Sequence, residues 1–304
     1  MFGNLLDMQI MIFLLIATGY LLCKLGVIDS EIRKGLTALV VNVVLPCNII
    51  YSFFIEMNLD ILKSCFSILA ISFGIQITCL FGSNYLYRNH TSSRQKVLKY
   101  ATICSNAGFI GNPLVEQIYG SQGLLYASIY LIPQRIFMWS AGISCFTPAK
   151  GKEVIKKVLT HPCIIAVIIG FLIMVLQLPV PAFAKKTILS FSSCTTALSM
   201  LIIGGILAEV DLKTVCSKLT LFYSFIRLIA IPAIVLLLCW VLQLDQLVTS
   251  VAVVLSGMPA GTTTAILAAK YSGDEKFAAS CVFLSTVLSL LSIPFFCVLI
   301  EMVL

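Results

Sequence analysis

The sequence predicts an all-α integral membrane protein of about ten transmembrane helices. They form two inverted five-helix repeats in which helices four and nine are broken and cross. Three observations carry this: a composition too apolar for water, a one-sided distribution of basic residues, and a match between the two halves. Of 304 residues, 60% are hydrophobic and 11% charged, and the mean hydropathy is +1.05. Soluble domains carry about 25% charged residues, so this chain cannot cover a water-facing surface.

A spanning helix needs roughly 20 mostly apolar residues. Ten such segments can be drawn, at 5–23, 36–55, 61–87, 99–118, 122–148, 161–178, 186–208, 216–243, 246–269 and 276–302. The first is read as a retained span, because its apolar run from Met8 to Leu22 is preceded by Asp7 and by no Lys or Arg, where a signal peptide needs a basic start. The separators hold the charge. Fifteen Lys and Arg fall in alternate connections, only Lys63, Lys185 and Lys186 fall in the others, and Arg135 and Arg227 lie within spans. Basic loops stay in the cytoplasm, which predicts a multi-pass protein of the cell (inner or plasma) membrane with both termini extracytoplasmic. The net charge of +7 is then a topology signal, and no nucleic-acid partner is needed to explain it.

The halves repeat. Tyr119, Ala127 and Ser128 recur 152 positions later as Tyr271, Ala279 and Ser280, while Ala107-Gly108 recurs as Ala260-Gly261 and Glu56-x-x-Leu59 as Glu209-x-x-Leu212, both at 153. Five spans per half is odd, so the second half enters the membrane inverted, an architecture that places a substrate site near the midplane. The repeats are read as 1–148 and 161–304, with 149–160 a cytoplasmic connection.

Spans four and nine are interrupted at equivalent places. The first carries Ser105, Asn106, Gly108, Gly111, Asn112 and Pro113; the second carries Gly257, Pro259, Gly261, Thr262 and Thr263. Proline withholds a donor and glycine lowers the cost of irregular backbone, and freed backbone groups cannot face lipid. Either break alone is as well explained by close packing at small residues; both together, polar and in register, point to a binding site. Half-helix N-termini carry partial positive charge and favour anions. Asn106, Asn112, Thr262 and Thr263 add neutral groups, and no acid sits at either break.

Among ionisable residues within spans, Arg135 is costly to bury. It is read as a substrate counter-charge, as a partner of Glu116, or as a snorkelling side chain. Glu116 is the candidate for proton coupling, set against an interfacial position. Arg227 reads as structural, since its own span offers no polar partner. The 12 cysteines form no Cys-x-x-Cys pair and cluster with neither His90 nor His161, so no zinc site, disulfide framework or cofactor is indicated.

The stretch from Asn106 through Gly111-Asn-Pro113 to Tyr119-Gly120 resembles the fourth span of the auxin efflux carrier family, which includes the plant PIN-FORMED exporters and bacterial malate-permease-like proteins. Met258-Pro259-Ala-Gly261 through Lys270-Tyr271 resembles the ninth span, Leu284-Ser285-Thr286 through Pro294 the tenth, and Leu45-Pro46 matches a proline in the second. The resemblance covers the whole chain and implies a fold similar to sodium/proton antiporters and bile-acid symporters. It implies a scaffold of 1–58 and 161–210 and a mobile transport domain of 61–148 and 216–304. Asn106 and Gln134 would contact substrate and Pro259 would shape the second crossover. Ser105 stands where plant members carry the first crossover proline, so auxin specificity does not transfer.

The expectation is a carrier of a small organic anion, a malate-like dicarboxylate among the candidates, working in the lipid bilayer, with a homodimer through the scaffold helices among its assemblies. A cation/proton exchanger on the same fold is the nearest rival. A membrane-embedded sensor or enzyme is the rival of another class, but no positioned acid/base set of an enzyme is present.

Overall fold

The computed structural model describes residues 2–56, 58–142, 144–146, 155–156, 158–208, 215–271 and 273–303. Glu209-x-x-Leu212 and most of the Pro148–Lys157 connection lie outside them. Among the described residues the regular structure is helical: α1 (Phe2–Lys24), α2 (Ser30–Leu39), α3 (Leu45–Ser52), α4 (Leu59–Leu86), α5 (Ser92–Ile103), α6 (Asn112–Phe137), α7 (Pro162–Val175), α8 (Ala182–Ser193), α9 (Thr195–Leu207), α10 (Lys218–Phe225), α11 (Ile231–Val241), α12 (Gln246–Ser256), α13 (Thr263–Lys270) and α14 (Glu275–Val303).

Among the described residues five helices, counting those continued through a π turn or a tight joint, are long and apolar enough to cross a membrane: Ser30–Ser52, Leu59–Leu86, Ala182–Leu207, Lys218–Val241 and Glu275–Val303. Their outward faces suit lipid. On α4, Phe66, Phe73, Ile77 and Phe81 are exposed at spacings of seven and four, which align along one helix face. The chain is therefore an all-α, multi-pass membrane protein.

Proline places the π turns. Val40–Val44, Ala107–Gly111 and Ile226–Ala230 each end two residues before a proline, at Pro46, Pro113 and Pro232. Proline lacks a donor and its ring crowds the carbonyl four residues back, so the preceding turn widens to i→i+5 bonds. Leu45 N–H donates to Val40 O and Ile231 N–H to Ile226 O in this way.

The chain divides into two compact units, Met1–Cys65 with Phe109–Ile129 and Leu159–Glu209, and Phe66–Gly108 with Tyr130–Val158 and Val210–Leu304. In the first, α1 packs along α9, and α3 packs on α7 and α8. A Cβ built on Gly19 would overlap the Leu201 backbone, and one on Gly204 would overlap the Ile16 carbonyl. Glycine thus permits a close backbone approach here, a role it has in membrane helix pairs.

The second unit is built on α14, which packs against α5, α10, α12 and α13. Its core gathers Tyr87, Leu98, Tyr100, Ile103 and Tyr223 with the small residues Ala260, Ala268, Ala278 and Cys281. Small residues from one side admit the rings from the other.

Candidate functional site

Two helices are interrupted in the structure, and the interruptions meet within the second unit. Helix α5 ends at Ile103 and the chain becomes extended at Cys104, with φ −110° and ψ 99°. Helix α12 ends at Ser256 and helical structure resumes only at Thr263. Between them Ser105 and Ala260 pair as an antiparallel bridge. Asn106 N–H donates to Pro259 O at 2.8 Å and Gly261 N–H donates to Cys104 O at 2.9 Å. Gly261 is required by proximity, since a Cβ there would lie 3.0 Å from the Cys104 oxygen.

Buried backbone polar groups must be paired, and most carbonyls at the first break have a named donor. Tyr100 O accepts from Cys104 N–H, Ala101 O from the Tyr223 hydroxyl at 2.9 Å and Thr102 O from Arg227 at 3.2 Å. Ser105 O accepts from Gln134 Nε2 at 2.7 Å, and the Ser105 hydroxyl donates back to Gln134 Oε1 at 3.0 Å. Gln134, predicted to touch substrate, therefore spends a donor and an acceptor on holding the crossover strand.

Arg227 is the residue that sequence reasoning undervalued. It is buried, lies on the π turn Ile226–Ala230, and its Nε donates to Met258 O at 2.8 Å. Its other arm reaches Thr102 O. Both acceptors belong to the C-terminal ends of half-helices, where the macrodipole is negative and a cation is stabilising. Its partners lie on other elements, so its own span could not reveal them; the available signal was a lone mid-span arginine five residues before Pro232.

Asn106 is buried and its Nδ2 has no partner among the described residues. Arg135, one residue beyond the Gln134 anchor, is also buried, with one guanidinium nitrogen unpaired and no carboxylate partner among the described residues. Helix α13 starts without a side-chain cap from Thr262. Thr262 and Thr263 are half-buried, and the Thr263 hydroxyl accepts from Tyr100 at 3.0 Å. Two buried N–H donors, Asn106 Nδ2 and an Arg135 guanidinium nitrogen, are thus unpaired among the described residues, a chemistry that suits an anion.

The other predicted residues lie elsewhere. Gly108 closes the second unit's share of the chain, while Gly111, Asn112, Pro113 and Glu116 belong to the first unit. Asn112 is fully buried with both amide atoms unpaired among the described residues, and Glu116 accepts from Asn48 Nδ2 at 2.8 Å. Gly120, between predicted spans four and five, has φ 65° and ψ −159° and breaks α6 there, a conformation open to glycine alone.

An apolar multi-pass helical protein whose two interrupted helices pair at a donor-rich, buried junction is a membrane transporter. Comparison with known proteins agrees: the model of a family described as membrane transport protein matches residues 7–157 and 150–297. The chain belongs to that family, the auxin efflux carriers. It is 28% identical over 291 residues to an uncharacterized transporter of Methanothermobacter thermautotrophicus, covering 93% of this chain and 94% of the relative. A second uncharacterized transporter, from Methanocaldococcus jannaschii, is 25% identical, covering 95% and 96%.

Proposed function

We propose that this transporter is a secondary active or facilitative carrier of a small organic anion, a carboxylate of the malate type, working by elevator-type alternating access. The observation that carries the reading is the donor-rich junction of the two breaks: Asn106 Nδ2 is left unpaired beside an uncapped helix start, and neither break contains an acid. A cation exchanger would need carboxylates there. In this reading Asn106, Thr262, Thr263 and Arg135 face the substrate carboxylate, while Gln134 and Arg227 position the backbone around it.

The ten-helix inverted repeat belongs to the same proposal. It is supported by the pairing of equivalent breaks, and by the short helical segments that follow each one and reach Tyr119 and Tyr271. The mobile part comprises 61–148 and 216–304 and the scaffold 1–58 and 161–210, with both termini outside the cytoplasm of the inner membrane.

Counterflow in proteoliposomes against a panel of carboxylates tests the substrate class. Accumulation of at least one labelled small carboxylate is expected, and Asn106→Ala should weaken its apparent affinity by about 1–3 kcal/mol at wild-type yield. Flux of sodium or protons with no carboxylate movement would reject the reading.

A further inference from the structure

The first unit contains a second polar cluster that the carrier reading does not use. Asn48 on α3 is fully buried, and its amide nitrogen donates twice, to Glu116 Oε2 on α6 at 2.8 Å and to Ser192 Oγ on α8 at 3.0 Å. One residue further along, Gln117 donates to Thr196 at 3.2 Å, so α6 lies directly against the α8–α9 joint. Three separate helices thus converge on the Asn48 amide.

Two features of this cluster call for a ligand. First, no Lys or Arg pairs with Glu116 among the described residues, and an acid inside a membrane span needs a counter-charge or a proton. Second, buried oxygens around it lack partners. Asn48 Oδ1, Asn112 Oδ1 and Thr195 Oγ1 are all unpaired among the described residues, on side chains that are at most 1% exposed. Asn112 precedes Glu116 by four residues and Thr195 follows Ser192 by three, so each lies on its neighbour's helix face, about 4.5–6 Å along the axis. Ser199, a further turn along, continues the stripe with another unpaired hydroxyl.

A proton on Glu116 would neutralise the carboxylate and leave those oxygens unpaired. A small hard cation answers both needs, since it binds carboxylate, amide carbonyl and hydroxyl oxygens together. One carboxylate balances one positive charge, which selects a monovalent ion. We propose that Glu116, Asn48 and Ser192, with Asn112 and Thr195, form a sodium-binding site in the first unit. The amide of Asn48 orients the carboxylate while its free oxygen joins the ion's ligands.

The inference does not rest on the anion-carrier reading, and its test uses no organic substrate, so the two can fail separately. The purified full-length protein is assayed in detergent for 22Na+ binding. Thermal unfolding is followed with a thiol-reactive dye, which the 12 cysteines suit, in sodium, potassium or choline chloride at constant ionic strength. Saturable sodium binding and a sodium-specific rise in melting temperature are expected. Asn48→Ala should weaken binding by about 10–100-fold, the range for groups that orient a ligand. Glu116→Gln should abolish binding, and Glu116→Asp should retain it more weakly, which shows that loss in the first variant is not misfolding. Sodium acting no differently from choline on the wild type would overturn the proposal. So would undiminished binding by Glu116→Gln, or Glu116 acting only as a proton carrier, seen as a pH-dependent flux that this variant flattens with no sodium bound.

Discussion

The two breaks that meet in the second unit are held by different means. The first is brief: Cys104, Ser105 and Asn106 separate α5 from a π turn, and a neighbouring side chain, Gln134, grips its strand from both sides. The second is longer, running through six residues from Gly257 to Thr262, and its backbone is anchored by Arg227 at Met258 and by the Ser285 hydroxyl at Ala260 N–H, 3.1 Å away. Only the first carries an amide, that of Asn106, with an unpaired buried donor. The second contributes an uncapped helix start and a proline whose carbonyl receives the Asn106 N–H. One break therefore presents a specific side chain and the other presents backbone, and Arg227 is the residue that serves both.

Arg227→Met breaks both at once and has the largest expected effect. It leaves the Thr102 and Met258 carbonyls unpaired in a buried site, at about 1–3 kcal/mol each. Melting temperature in detergent should fall sharply, with Arg227→Lys recovering part of the loss. An unchanged melting temperature would show that the crossover does not depend on this clamp.

Gln134→Ala separates the breaks, because only the first loses its anchor. Stability should fall by about 1–3 kcal/mol for the unpaired Ser105 carbonyl, and modification of a cysteine placed at Ser105 should become faster than that of one at Ala260. Ser285→Ala is the mirror experiment on the second break. It leaves the buried Ala260 N–H unpaired and should cost about 1–3 kcal/mol with the order of labelling reversed; equal labelling in both variants would mean that the breaks open as one piece.

Pro259→Ala should have the smallest effect on stability, about 0.4–1 kcal/mol from the added freedom of the unfolded chain. Counterflow should drop further than that suggests, since the restored N–H lets span nine extend α12 across the break. Full transport by this variant would assign the break to its tertiary anchors alone.

Much of this was legible before folding. Gly, Pro and polar residues marked both breaks, and the Ala-Gly pairs at Ala107-Gly108 and Ala260-Gly261 stand 153 positions apart. The π turns at Val40–Val44, Ala107–Gly111 and Ile226–Ala230 answer to prolines visible in the chain. Less legible was how the breaks are satisfied. Gln134 reads on paper as a polar residue free for substrate, and Arg227 as an isolated charge, because hydrogen bonding across 29, 31 and 125 positions leaves no local trace. Asn48 drew no notice at all, being one polar residue in an apolar span.

By itself the sequence determined the solvent this protein lives in, the helical class, the places where helices must break and the absence of acids at those places. Each follows from local chemistry: hydropathy, the missing proline donor, and the residue types present. Tertiary structure alone decided which carbonyl meets which donor, that Ser105 pairs with Ala260, and that Asn48 donates to both Glu116 and Ser192. Those pairings are made by helices far apart in the chain, and the need to satisfy every buried polar group selects them only once the helices have packed.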